Sequence, residues 1–378
     1  MHQPVKTDYS QDLRLFRTAG QVWSYAALAV FLLAAPILFG NYLLSQVVFV
    51  IIYAIVGIAL IILSGYTGQV SIGHAAFLAI GAYTAAYCQK QGIPFVVYFV
   101  LAGALTGVVG YLVGLPALRL HGVYLAIATF AFAFIVEEIL ARWESVTNGN
   151  EGIMLALPDL FGLKLGDTGF YYLCLAVVTT IMLGAINLLR SPTGRAFVAL
   201  RDSETAAKSM GVNPARYKTR SFAISAAITG LAGVLYAHKL SFISPEMFTL
   251  SLSIEFIMIV IIGGIASLRG AVFGAIFMIM VDPVLATLKD DLPGLVANVV
   301  SVLGLNGGGA QEAVARVVNA PGLKSLIFGL IIIFFIIFEP FGLAGRWEKI
   351  KLYVRLFPLY KATTFKRQKM YLKSERGR

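Results

Sequence analysis

Residues 18–89 contain not one Asp, Glu, Lys or Arg. A tract of that length has no face to offer water. In lipid, every backbone N–H and C=O must be paired within the protein, so the tract has to be several helices stacked through a membrane. The rest of the chain follows suit: of 378 residues, 58% are hydrophobic and 13% charged, whereas a soluble protein is about a quarter charged. These figures exclude a soluble domain, and the length is better counted in spans of about 20 residues each.

Apolar segments run over residues 23–40, 43–63, 70–87, 94–115, 123–140, 170–189, 221–238, 254–268, 270–288 and 323–341. They predict an all-α integral membrane protein of about ten transmembrane helices, spanning 23–341 between an N-terminal segment 1–22 and a basic tail 342–378. If the N-terminus is cytoplasmic, alternation puts Lys6, Arg14, Arg17, Arg119, seven bases of 190–220, Arg269 and eleven bases of 346–378 inside. Only Lys90, Arg142, Lys164, Lys239, Lys289, Arg316 and Lys324 remain outside. That bias predicts that both termini are cytoplasmic. The first apolar run flows into the second without a small-residue cleavage site and reads as a span rather than a leader.

The net charge of +11 is concentrated in the tail, beside an otherwise apolar chain, which points to membrane lipid and not to nucleic acid. Trp347, Tyr353, Phe357, Tyr360, Phe365 and Tyr371 among those bases suit an interfacial anchor. Cys88 and Cys174 lie within apolar segments and read as small packing residues.

Glycines mark where helices should fail. Gly65, Gly68, Gly73 and Gly81 interrupt the third segment, and Gly263, Gly264 and Arg269 punctuate the eighth and ninth. Broken or re-entrant helices there must be packed inside the bundle or line a wet path. Gly103 with Gly107, Gly110 with Gly114 and Gly270 with Gly274 suit close helix crossings. Between residues 65 and 74, Tyr66, Thr67, Gln69, Ser71 and His74 form a dense group of uncharged hydrogen-bonding side chains. Such a group serves either as a path for a zwitterion or as glue between helices. Glu255 is a further candidate for a gate.

Several chemistries have no signature here. No Gly-Lys pair occurs, so the phosphate-cradling loop GxxxxGK[ST] is missing, and no GxSxG elbow is present. His2, His74, His121 and His238 show no metal-ligand spacing. Neither catalysis, a cofactor nor a metal is expected. Glu137, Glu138, Glu255, Asp282 and Glu339 fall near predicted span ends rather than forming a proton relay.

Three polar regions stand out, the predicted outer loops 141–169 and 282–322 and the predicted inner loop 190–220. The outer loops carry turn residues such as Asn148-Gly149-Asn150-Glu151-Gly152 and are candidate docking surfaces or simple connectors. In the inner loop, Pro192 and Gly194 break the preceding span, a helical run is expected over about 195–210, and Gly211 is a natural stop. Ala196, Ala199, Ala206 and Ala207 thin that run while Arg195, Arg201, Asp202, Glu204 and Lys208 surround it with charge. It reads either as a lever that another surface can approach or as an ordinary positive-inside loop.

These residues carry a resemblance. TGRAFVALRDSETAAKSMGVNPARYK, residues 193–218, resembles the cytoplasmic coupling motif of ABC importer permeases, an Ala-Ala pair followed after three residues by Gly, here Ala206, Ala207 and Gly211. Thr205 stands between Glu204 and that pair, where the general motif has Glu directly before it. SGYTGQVSIGHAAFLAIGAYTAA, residues 64–86, is similar to the matching stretch in permeases of branched-chain amino acid importers of the LivM type, as are SFAISAAITGLAGVLYA and IIGGIASLRGAVFGA further on. The likeness covers roughly residues 40–345.

The resemblance implies a membrane subunit of an ATP-driven importer in the bacterial cytoplasmic (inner) membrane. It would be paired with a second homologous permease, two ATP-binding subunits and an extracytoplasmic amino-acid-binding protein. Gly194, Arg195, Arg201, Glu204, Ala206, Ala207 and Gly211 would couple to the ATPase, and Tyr66, Thr67, Gln69, Ser71 and His74 would line the substrate path. Urea or short amides are the alternative cargo, and a stand-alone secondary carrier or channel is the rival mechanism.

Overall fold

The computed structural model describes residues 19–117, 120, 122–160, 163–265, 267–302, 323–339 and 342–356. Each of the ten apolar segments falls on a helix: α1 (Ala19–Leu38), α2 (Asn41–Leu60), α3 (His74–Lys90), α4 (Phe95–Ala117), α5 (Val123–Arg142), α7 (Asp167–Arg190), α10 (Pro214–Leu240), α11 (Leu250–Gly263), α12 (Leu268–Val302) and α13 (Leu323–Phe338). Short α6 (Glu144–Thr147), α8 (Pro192–Asp202) and α9 (Glu204–Ser209) lie in the loops, and α14 (Gly342–Leu356) follows the last apolar helix. Among the described residues, six stretches are long and apolar enough to cross a membrane: Asn41–Gly65, Phe95–Pro116, Val123–Arg142, Asp167–Arg190, Pro214–Leu240 and Pro245–Gly263. Val22–Leu38 and Leu268–Val281 are shorter apolar helices. The chain is an all-α multi-pass membrane protein.

Helices α2 and α10 form the centre. In α2, Ile52, Ile55, Val56 and Ile58 are wholly buried, and a helix apolar on every side belongs inside a bundle. Helix α10 is less apolar and solves its burial with small residues. A Cβ at Gly233 would overlap the Leu78 carbonyl of α3, and one at Gly81 would overlap the backbone of Gly230. On α4, Gly103, Gly107, Gly110 and Gly114 all face α10, so the glycine spacing read from the sequence is a helix-crossing seam. Gly270 and Gly274 play the same part between α12 and α11.

A proline in α1 shows how strictly backbone groups are matched. Pro36 has no N–H, which leaves the carbonyl of Leu32 without its helical donor. The Tyr171 hydroxyl of α7 donates to that carbonyl at 2.7 Å, and Tyr172 donates to the Leu33 carbonyl at 2.9 Å.

The two ends of α10 hold different structures, about 40 Å apart at 1.5 Å per residue. At the Leu240 end, β1 (Ile153–Met154) pairs antiparallel with β4 (Phe242–Ile243), and β2 (Asp159–Leu160) pairs with β3 (Leu163–Lys164). Asn148, Gly149 and Gly152 adopt positive φ there, as the turn residues of 141–169 led one to expect. His238 Nδ1 donates to the Ala156 carbonyl at 2.8 Å while its Nε2 accepts from the Tyr98 hydroxyl at 2.8 Å, tying this loop to α4 and α10. At the Pro214 end sit α8 and α9.

Three boundaries differ from those read in the sequence. Residues 282–302 continue α12 rather than opening the loop 282–322, although Pro283, Pro293 and Gly294 lie in that run. Helix α3 begins at His74, not at residue 70. The expected run 195–210 is two helices, since Ser203 takes an extended conformation and caps the second. Residues 1–18, 303–322 and 357–378, which hold most of the N-terminal segment, the rest of the loop 282–322 and most of the basic tail, lie outside the described residues.

The seam between α3 and α10 sets a clear test. Gly233→Leu forces a side chain into the α3 backbone and should destabilise the protein by about 1–3 kcal/mol or more, as overpacking does. Gly184→Ala on α7, where nothing lies within 4 Å, should leave stability unchanged or raise it by up to about 1 kcal/mol. Thermal unfolding midpoints in mild detergent compare the two.

Candidate functional site

The helix of residues 41–60 does not end cleanly. It widens into a π-turn over Ile61–Gly65, where Ser64 Oγ donates to the Leu60 carbonyl at 2.7 Å. From Gly68, at φ +70°, the chain runs non-helically to Gly73. Burial alternates along it: Thr67, Gln69 and Ser71 are buried, whereas Gly68 and Val70 are exposed. The break is close-packed. A Cβ at Gly73 would overlap the Thr129 carbonyl of α5, and one at Gly65 would overlap the carbonyl of Ile265, in the second break between α11 and α12. A Cβ at Gly342 would in turn meet the backbone of Gly264. Three irregular segments thus meet at one level inside the protein, the setting in which lipid tolerates them.

Backbone groups freed by the break find side chains. Thr129 Oγ1 accepts from the Ile72 N–H at 3.0 Å, and Ser253 Oγ of α11 accepts from the Ala75 N–H at 3.1 Å. The predicted polar group faces α10. Ser225 Oγ gives its proton to the Ala59 carbonyl at 2.7 Å, so His74 Nε2, 2.8 Å away, must be the donor to it. His74 Nδ1 then accepts from Ser71 Oγ at 3.0 Å. This is a neutral imidazole with both nitrogens engaged.

Gln69 is fixed by the same accounting. Ser221 Oγ donates to the Lys218 carbonyl at 2.7 Å, and Thr67 Oγ1 donates to the Leu63 carbonyl. Both hydroxyls are therefore acceptors toward Gln69 Nε2, at 2.8 and 3.0 Å. Gln69 Oε1 is left buried with no hydrogen-bond partner among the described residues, an acceptor aimed at no protein donor. Tyr66 is half-buried against the core.

Ser221 and Ser225 escaped notice in the sequence, as did Thr129 and Ser253. A signal was there: Lys218, Ser221, Ser225 and Thr229 recur at helical spacing along one face of α10. Glu255 of α11 accepts from the Tyr53 hydroxyl of α2 at 3.3 Å, a link between helices near the start of α11.

The loop 190–220 is ordered by capping. Ser191 caps α8 with Pro192 at its first position, and Asn213 caps α10 ahead of Pro214. Phe197 and Leu200 bury α8 against the bundle. Gly211 takes φ +82°, with Val212 N–H on the Ala207 carbonyl at 3.0 Å and Gly211 N–H on that of Lys208 at 3.0 Å. That is a Schellman stop, for which Gly is favoured.

The residues expected to couple do not share one face. Gly194 lies against the backbone of Leu189, and Arg195 donates to the Arg190 carbonyl at 3.2 Å. Glu204 turns inward to Lys218 at 2.6 Å, and Arg201 reaches inward to the Gly65 carbonyl at 3.0 Å. Ala207 is buried, whereas Ala206 and Gly211 are exposed beside Met210, itself 86% exposed. Glu204, Thr205, Lys208, Asn213 and Ala215 are among the residues lining an open groove of about 760 Å³ there.

Apolar helices around buried, discontinuous backbone, with a polar column leading to an ordered loop, define a membrane transport subunit. The chain belongs to the family of permease components of branched-chain amino acid transport systems, whose model matches residues 42–336. It is 35% identical over 289 residues to the high-affinity branched-chain amino acid transport system permease protein LivM of Escherichia coli (strain K12), covering 70% of this chain and 68% of that one. With the corresponding LivM of Salmonella typhimurium it shares 36% identity, over 67% of this chain and 66% of that one. The autoinducer 2 import system permease protein LsrC of Enterobacter sp. (strain 638) is 29% identical, over 71% and 78% respectively. No solved structure matches the chain.

The network predicts its own weak point. Ser225→Ala strands the buried His74 Nε2–H, and should cost about 1–3 kcal/mol for a buried donor left unpaired. Thermal unfolding of the purified variant in detergent reads this directly.

Proposed function

We propose that this chain is one of two permease subunits of an ATP-driven importer that carries branched-chain amino acids across the bacterial cytoplasmic membrane. Membership of the permease family supports the cargo class, and the observation that carries the mechanism is the exposed turn of Ala206, Met210 and Gly211. It is held rigid by three caps and wired to the interior through Arg201 and Lys218. ATP hydrolysis belongs to two separate ATP-binding subunits, whose closure moves α8 and α9 and switches access through the bundle. An extracytoplasmic binding protein docks at the opposite end of α10, and the apolar outer faces of the helices meet lipid and the second permease.

The chain crosses the membrane ten times with both termini in the cytoplasm, and α3 with the residues 68–73 makes one broken crossing. Thr67, Gln69, Ser71 and His74 border the path, with Gln69 Oε1, without a partner among the described residues, the acceptor for a passing ammonium group. These side chains offer no charged pair to clamp an amino acid's carboxylate and ammonium, and the nearby Lys218 is paired with Glu204, so substrate choice rests with the binding protein.

Reconstitution with the ATP-binding subunits, the second permease and the binding protein tests the reading. ATP-dependent uptake of radiolabelled leucine, and not of urea, is expected. Ala206→Glu or Gly211→Asp should abolish that uptake at unchanged membrane abundance, because each puts a charged side chain on the approach face. Wild-type uptake by both variants rejects the coupling role.

Orientation has its own test. A cysteine at exposed Ser203 should react with an impermeant maleimide only from the cytoplasmic side of oriented vesicles. Labelling from the outside alone overturns the topology.

A further inference from the structure

The loop 190–220 does more than present a surface, because its side chains hold the broken segment at two points. Arg201 sits in the last turn of α8, just before the break at Ser203. Asp202 Oδ1 accepts from both its Nε, at 3.0 Å, and its Nη2, at 2.9 Å. With the planar guanidinium fixed on that side, Nη1 is aimed at the Gly65 carbonyl, the last residue of the π-turn, at 3.0 Å. The aliphatic stem covers the next turn of the same segment, since a Cβ added at Gly68 would lie 3.3 Å from Arg201 Cγ.

The second point is Lys218. Its ammonium is paired with Glu204 of α9 at 2.6 Å, while its own carbonyl accepts from Ser221 Oγ at 2.7 Å and lies 3.5 Å from Gln69 Nε2. Each of the two short helices therefore has one charged side chain bound to the bundle at the height of the break. Gly65 in turn lies against Ile265, so a shift at this carbonyl reaches the second break as well.

We propose that Arg201 is a positioning residue that transmits movement of α8 and α9 to the broken helix by holding the Gly65 carbonyl, with Glu204 and Lys218 as the parallel tie. The Arg201 side chain is 35% and that of Asp202 63% exposed, and so solvated an ion pair adds little to stability. Its contribution is mechanical. It rests on the transport reading above in that the ATP-binding subunits supply the movement.

The test uses the reconstituted complex with Arg201→Met, which keeps the stem and removes the donors, and Arg201→Lys, which keeps the charge without the fork. Leucine uptake and ATP hydrolysis stimulated by loaded binding protein are measured together. Arg201→Met should lower leucine moved per ATP hydrolysed by about tenfold, the scale that loss of one charge-assisted hydrogen bond supports, with the ATPase rate and unfolding midpoint near wild type. Arg201→Lys should fall between.

A second readout needs no leucine. A cysteine at Val70, 43% exposed in the broken segment, should change its maleimide labelling rate when ATP is added, and Arg201→Met should erase that change. Unchanged stoichiometry with unchanged Val70→Cys labelling overturns the linkage. Parallel loss of ATPase and uptake overturns it too, since Arg201 would then serve the ATPase contact. A fall in unfolding midpoint that accounts for the loss makes it a brace and likewise rejects the proposal. If the wild-type complex moves no leucine, the substrate reading alone fails, and the linkage stands or falls on the labelling.

Discussion

A backbone amide inside lipid has no water to turn to, and the rest of this structure is arranged around that constraint. Unbroken helices meet it without help. Where the chain breaks, at residues 68–73 and between α11 and α12, some freed N–H groups bond locally, as those of Gly68 and Gln69 do to the Ser64 and Leu63 carbonyls, and others are met from other helices, by Thr129 of α5 and Ser253 of α11. The breaks and the small-residue seams depend on one another. Only because Gly65 and Gly73 bring backbone against backbone do short Ser and Thr side chains reach across.

That dependence explains what the sequence could and could not disclose. The apolar segments were legible from hydropathy, and the glycine pairs of α4 were legible as a seam, because both follow from one chain's own periodicity. The polar group of 66–74 was legible as a cluster, yet not as a network. Its acceptors, Ser221 and Ser225, lie about 150 residues away, and a serine on a helix carries no mark of its partner. Whether such a group is path or glue cannot be read from residue type. Here most of its atoms hold helices together, and Gln69 Oε1 is left without a partner among the described residues.

The inner loop shows a different limit. Its Gly211 stop followed a local rule and was found locally. The division at Ser203 was not, because a Ser in mid-run can bond its own backbone in either state. Nor did charge reveal direction. Arg201 and Glu204 read as surface residues on a solvated helix, and both point into the protein, since the carbonyl of a π-turn and the ammonium of a buried lysine offer them partners there.

Helix α10 reaches from the paired strands at one end to α8 and α9 at the other without a proline in its interior. One rod touching both ends brings thermodynamic reciprocity with it. Any ligand that favours one tilt of α10 from the strand end alters affinity at the other end, and a partner at that end alters the first by the same factor. Two surfaces that never meet would then read each other's occupancy through a single helix.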